Sequence, residues 1–195
     1  MIMAGGHQLR CPLFGYGGDM EKIINGQGRE QYRNIPFGKS TVGHSGCGAI
    51  AIYNVLAEKG ISVELEDVIR VAKRLNCMLA WGFFGIWPKK LGDILSYYNI
   101  YFKKINLAEY EGKAGDVFVV TIFNDRRKWY FGGLHTFEMA YRPDNHNAEK
   151  PWIVFNRVDN SIDCVRYRNP DDVLITYGKK YKPIYGKYFQ VLKIV

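Results

Sequence analysis

No stretch of this chain stays apolar for the roughly 18 residues that a membrane-spanning helix needs. Its beginning, "MIMAGGHQLRCPLFGYGGD", has no charged start followed by an apolar core, so it does not read as a secretory signal. Both absences favour the cytoplasm and predict no membrane span. Cysteine and histidine are scarce, at four each, and scattered. Cys11, Cys47, Cys77 and Cys164 form no C-x-x-C pair, and His7, His44, His135 and His146 do not complete a zinc-ligand spacing. No metal and no organic cofactor is expected. Disulfides are permitted, but a chain of 195 residues can build a core without them. Long blocks of one charge are missing too, so the net charge of +8 reads first as a solvated surface. An acidic polymer remains open as a partner, but nucleic acid is not the expected one. The cluster "YGKKYKPIYGKY" mixes basic and aromatic residues that suit base stacking. It reads equally well as a tight turn between two edge strands.

What is present is a globular composition, 47% hydrophobic, in a length that fits one domain. Residues 1–40 are rich in glycine and polar residues and read as irregular, with 1–26 a distinct irregular segment. A helix over Cys47 to Glu58, ended by Gly60, is apolar around most of its circumference and so should be buried on nearly all sides. "ELEDVIRVAKRLN" is amphipathic, with Leu65, Val68, Ile69, Ala72 and Leu75 on one face. After the glycine- and aromatic-rich "AWGFFGIW", Pro88 starts a third helix, "PKKLGDILSYYN". Beyond Asn99 the pattern shifts to period two or short apolar runs. "IYFKKI", "DVFVVTIF", "LHTFEMAY", "WIVFN", "DVLITY" and "YFQVLKIV" read as strands. Helices first and an antiparallel sheet afterwards make an α+β domain spanning 1–195.

The stretch "TVGHSGCGAIAIYNVL" holds Cys47 between two glycines at the start of the apolar helix. A nucleophilic cysteine needs a favoured thiolate, a base beside it, and a group that orients the base. The unpaired N–H groups at a helix start supply the first. Gly46 and Gly48 would then give a substrate carbonyl access to the sulfur; the alternative is that they allow close packing. His135 in "GGLHTFEMAYR" is the candidate base, on one strand face with Phe137, Met139 and Tyr141. If this strand and "WIVFN" form a hairpin turning between Asn145 and His146, then His135 and Asn156 are cross-strand neighbours. The Asn156 amide oxygen could then accept from the histidine ring. His44 could line the same cleft, and "WGFFGIW" could wall it or pack beneath it.

"SGCGAIAIYNVL", "GLHTFEMAY" and "IVFN", in that order, resemble the papain-like cysteine peptidases, in the branch typified by bacteriocin-leader peptidases and their stand-alone relatives. "GQGREQYRNIPFGKSTVGHSGCG" is similar to that branch's lead-in, Q-G-D-x-x-W-A-N-x-P-Y-G, followed by its T-I-G-x-S-G-C-G-P-T block. "GFFGIWPKKLGDIL" looks like its G-x-x-P-x-x-L loop and helix. The resemblance covers Gln27 to Asn160. It implies a papain-like fold, with the nucleophile helix packed on an antiparallel half-barrel. It also implies a hydrolase that cleaves a peptide or amide bond. Cys47 falls on the nucleophile, His135 on the base, Asn156 on the orienting residue and Gln27 on the oxyanion side chain. Arg29 stands where an acid is usual, Tyr32 where tryptophan is, and Ala49 where proline is. Thr41 stands where the leader-processing members carry glutamine, so Ser40 and Thr41 stay open as oxyanion donors. Two other functions fit the same residues: acyl transfer or deamidation on the triad, and a non-catalytic binding module for an acidic polymer.

Overall fold

The computed structural model describes residues 22–123, 133–143, 148–157, 164–177 and 183–195. His7, Cys11, His146, Asn160 and most of the irregular segment 1–26 lie outside these residues. The lead-in holds more regular structure than its composition predicts. Helix α1 (Glu30–Arg33) is followed by a hairpin of β1 (Pro36–Phe37) and β2 (Ser40–Thr41), then by the single turn α2 (Val42–Ser45).

Helix α3 spans Cys47–Glu58, as its pattern predicts. It stops where Gly60 enters the left-handed region at φ +72°. The Gly60 N–H then donates to the Ala57 carbonyl and the Ile61 N–H to that of Leu56, closing the last turn. Helix α4 (Leu65–Arg74) opens on reciprocal capping between Glu64 and Asp67, and α5 (Leu91–Tyr97) follows a 3₁₀ turn begun by Pro88. Both pack on α3. None of the described helices is long and apolar enough to cross a membrane.

The sheet is antiparallel throughout. Its strands are β3 (Phe102–Lys104), β4 (Val117–Phe123), β5 (Leu134–Tyr141), β6 (Trp152–Phe155), β7 (Val165–Tyr167) and β10 (Lys187–Ile194), in the order β3-β10-β4-β5-β6-β7. The last strand therefore lies inside the sheet, between β3 and β4. A separate pair is formed by β8 (Ile175–Tyr177) with β9 (Pro183–Tyr185), and β9 lies within the basic-aromatic cluster. Strand β7 and the partner role of β9 have no clear period-two signal and are not foreseen in the sequence.

Both sheet faces are covered, so two apolar clusters share one set of strands. Val117, Val119, Ala140, Leu192 and Ile194 face the helices, packing with Ile52, Val55 and Leu56 of α3. Phe118, Val120, Ile122, Phe137, Met139, Trp152 and Val154 form the other cluster with Leu107 and Val173. Alternation along β5 thus sends Ala140 toward α3 and Phe137 and Met139 away from it. The architecture is α+β, with α3 laid across β4 and β5.

Candidate functional site

Cys47 is the first residue of α3 and is half-buried. The glycines beside it serve packing. A Cβ on Gly46 would come within 2.7 Å of the Val42 backbone, and one on Gly48 within 3.2 Å of Ile86 Cβ. Gly46 thus allows the tight junction of α2 with α3, and Gly48 allows the 78–86 loop to lie against the helix start. These contacts support the packing reading of the two glycines. Cys77, by contrast, is 1% exposed, and burial pushes its thiol above the ordinary cysteine value. Cys164 is disulfide-bonded.

His135, near the start of β5, is buried and lies with its ring 5.8 Å from that of Phe137. Its register partner in the expected hairpin is corrected by two residues. The expected pairing of His135 with Asn156 would set Glu138 opposite Ile153, whereas Glu138 pairs with Phe155. A shift of two keeps every side chain on its face, so the alternation survives. The ladder ends at Phe155, and Asn156 turns into the left-handed region at φ +58°. Asparagine tolerates that conformation better than most residues. The turn brings the Asn156 backbone carbonyl, rather than its side chain, to 2.6 Å from His135 Nε2.

A carbonyl only accepts, so Nε2 must carry the ring proton and Nδ1 is the basic nitrogen. The Asn156 side chain has a different task. Its Oδ1 accepts from the Gln27 backbone N–H at 2.8 Å, and its Nδ2 donates to Gln27 Oε1 at 3.3 Å. Its own N–H donates to Asn25 Oδ1 at 2.6 Å. Gln27 Nε2 donates to the Gly43 carbonyl at 3.1 Å, which fixes the orientation of that amide. One hydrogen-bonded chain therefore links His135, Asn156, Gln27 and Gly43, and Gly43 lies in the turn that leads into Cys47. Asn156, Gln27 and Asn25 are all buried.

Further anchors hold this chain in place. Asn54, fully buried inside the apolar face of α3, accepts from the Ile24 N–H and donates to the Ile24 carbonyl, both at 2.9 Å. It clamps the backbone at Ile24, just ahead of Asn25 and Gln27, against the helix. Sequence reasoning missed Asn25 and Asn54. A polar residue inside a helix that is otherwise apolar all round was the available signal for Asn54.

Compared with known proteins, the chain matches no family model and no curated sequence. The site must therefore be read from its own geometry.

The turn before Cys47 carries a second polar cluster. His44 Nδ1 lies 2.9 Å from Ser45 Oγ and 3.3 Å from Ser40 Oγ, and the two hydroxyls are 3.0 Å apart. Ser45 Oγ donates to the Phe83 carbonyl at 2.8 Å, and the His44 ring meets Phe83 edge-on. His44 and Ser40 thus brace the turn, and Thr41 is exposed on β2. "WGFFGIW" divides between the two readings: Trp81, Phe83 and Phe84 are exposed, whereas Ile86 joins the core.

Behind the site, Glu138 is fully buried on β5 where α3 covers the sheet. Burial pushes its carboxyl well above the usual range, and the Glu58 carboxylate beside it adds to the rise. Glu58 is itself paired with Arg142 at 2.5 Å. Among the described residues no three histidine, cysteine or acidic side chains group to hold a metal ion.

Proposed function

We propose that this chain is a papain-like thiol hydrolase that cleaves a peptide or amide bond through Cys47 and His135. The supporting observation is the hydrogen bond from His135 Nε2 to the Asn156 carbonyl. It leaves Nδ1 as the base, and it joins the histidine to the turn that presents Cys47 at a helix start. In the reaction His135 Nδ1 takes the Cys47 proton, and the thiolate adds to the substrate carbonyl. The oxyanion is met by the Cys47 backbone N–H and a Gln27 amide hydrogen. His135 returns the proton to the leaving amine as the C–N bond breaks, leaving a thioester on Cys47. Water, deprotonated by His135, hydrolyses the thioester and regenerates the thiol. Asn156 acts here through its carbonyl on the ring and through its side chain on Gln27, which makes it a positioning residue.

A peptidyl aldehyde or epoxide tests this without knowledge of the natural substrate. Intact-mass measurement should find one adduct, on Cys47, and His135→Ala should slow its formation at least tenfold. No adduct across a broad panel, or a rate indifferent to His135, would leave the chain as a binding module.

A further inference from the structure

The loop Met78–Ile86 spends conformational energy in a way that the fold does not require. Ala80 and Trp81 both sit in the left-handed region, at φ +46° and +56°. Neither has the glycine or asparagine character that this region favours. Trp81 is nonetheless 73% exposed, so burial of its side chain does not explain the strain. The backbone is held from several directions. Met78 and Ile86 form a bridge at the loop's base, and the Leu79 N–H donates to Gly85 at 2.9 Å. The Lys39 N–H donates to the Trp81 carbonyl, also at 2.9 Å. Ser45 Oγ fastens Phe83 to the turn before Cys47. Two glycines allow the contact with the β1–β2 turn, since a Cβ on Gly38 would be 2.0 Å from the Trp81 oxygen and one on Gly82 2.5 Å from that of Phe37.

Between this loop, the β1–β2 turn and the end of α4 lies a cavity of about 620 Å³. Trp81, Met78 and Ala80 give it an apolar wall. Lys39 and Lys73 give it two ammonium groups, and among the described residues no carboxylate lines it. Lys39 Nζ stands 4.6 Å over the Trp81 ring. Neither lysine has a carboxylate partner among the described residues. A rigid indole with two cations suits a ligand that carries an anion next to an apolar side chain.

The cavity is tied to the segment that carries the thiol. Trp81 is two residues from Phe83, Phe83 touches Ser45, and Ser45 is two residues from Cys47. Adding these steps end to end, with the 2.8 Å contact between, limits the Trp81-to-Cys47 Cα distance to about 23 Å, or about seven residues of extended chain. Phe83 lies along that path and is exposed.

We propose that this cavity binds a peptide segment with a carboxylate beside a large apolar residue. Lys39 and Lys73 meet the carboxylate, and Trp81 and Met78 meet the apolar group. A polypeptide fits better than a nucleotide because the exposed Phe83 continues the surface toward the thiol at peptide scale. As a substrate subsite it rests on the hydrolase reading above; as a peptide site it does not.

The test is calorimetric binding of acetyl-Phe-Glu-Leu-Glu amide and its Phe-Gln-Leu-Gln counterpart to the full chain carrying Cys47→Ala, in which cleavage cannot interfere. The acidic peptide should bind at least tenfold more tightly at low salt, with the difference shrinking as salt screens the lysines. Lys39→Ala with Lys73→Ala should remove the preference. Trp81→Gly should weaken both peptides at least tenfold while its unfolding midpoint stays at or above the parent's, because glycine suits that backbone. Equal affinity for the two peptides, or a preference untouched by the lysine changes, overturns the proposal. So does tighter binding of a short oligothymidylate that depends on the same three residues. The adduct experiment reads the other claim independently: peptide binding without an adduct retains this site and removes the hydrolase, and an adduct without peptide preference does the reverse.

Discussion

Replacing Asn156 by alanine should destabilise the fold before it touches the chemistry. The side chain is fully buried, and its Oδ1 is the acceptor for the Gln27 N–H at 2.8 Å. Removing it strands that donor in the interior, which costs about 1–3 kcal/mol. Alanine must also hold φ +58°, which costs about 1–2 kcal/mol more. The expected loss is about 2–5 kcal/mol, a large part of a typical stability of about 5–15 kcal/mol. Urea unfolding followed by tryptophan fluorescence measures it. Asn156→Gly separates the two contributions: it still strands the donor but relieves the backbone, and should recover about 1–2 kcal/mol relative to alanine. Asn25→Ala removes the acceptor of the Asn156 N–H in the same network, so its effect should combine non-additively with that of Asn156→Ala. The backbone carbonyl that faces His135 remains in each variant, so labelling of Cys47 should change less than stability does. An Asn156→Ala protein within about 0.5 kcal/mol of wild type, with glycine no better than alanine, would refute this account.

Three other outcomes follow from the same geometry. Iodoacetamide at mildly acidic pH should modify Cys47 ahead of Cys77 in folded protein, since Cys77 is buried with a raised thiol pKa; mass spectrometry reads the order. Glu138 has its folded pKa raised above the unfolded value of about 4.3, so its contribution to stability is whole below that pH and is lost as pH rises through the folded value. Glu138→Gln should flatten this decline in unfolding midpoint with rising pH, and an unchanged slope would show that another group causes it. Gly38→Ala must place a Cβ against the Trp81 carbonyl at φ +61°, so it should cost more than about 2 kcal/mol by chemical denaturation, whereas Gly60→Ala, open in space but left-handed, should cost about 1–2 kcal/mol.

Much of the helical half was readable because its signals are local. Apolar residues through α3, a left-handed glycine after it and a proline before α5 each act within a few residues, and α3 begins and ends where they indicate. The strands β4, β5 and β10 were readable from short apolar runs. Register was not. Nothing in residues 142–151 fixes a hairpin length, and a left-handed Asn156 leaves no trace in composition. For that reason the histidine and asparagine meet as expected, but through the carbonyl instead of the amide. The strain at Ala80 and Trp81 was hidden for a related reason, since neither residue type announces a positive φ. Glu138 was unreadable because its burial depends on α3 crossing that face of the sheet, and the pattern of one strand does not say what covers it. Short β7, half-buried along its length, lacks the alternation that would mark it.

The clasp between Gln27 and Asn156 joins positions 129 residues apart. At roughly 5–20 residues per second, a ribosome needs on the order of ten seconds to go from one to the other. For most of that interval Cys47 has already been made, yet the histidine's proton is not directed and the lead-in has nothing to dock on. Closing so long a loop is also slow and entropically late. On the hydrolase reading proposed above, the thiol would then stay unarmed, and the nascent chain separated in time from its reactivity, until β6 has paired and Asn156 has turned behind it.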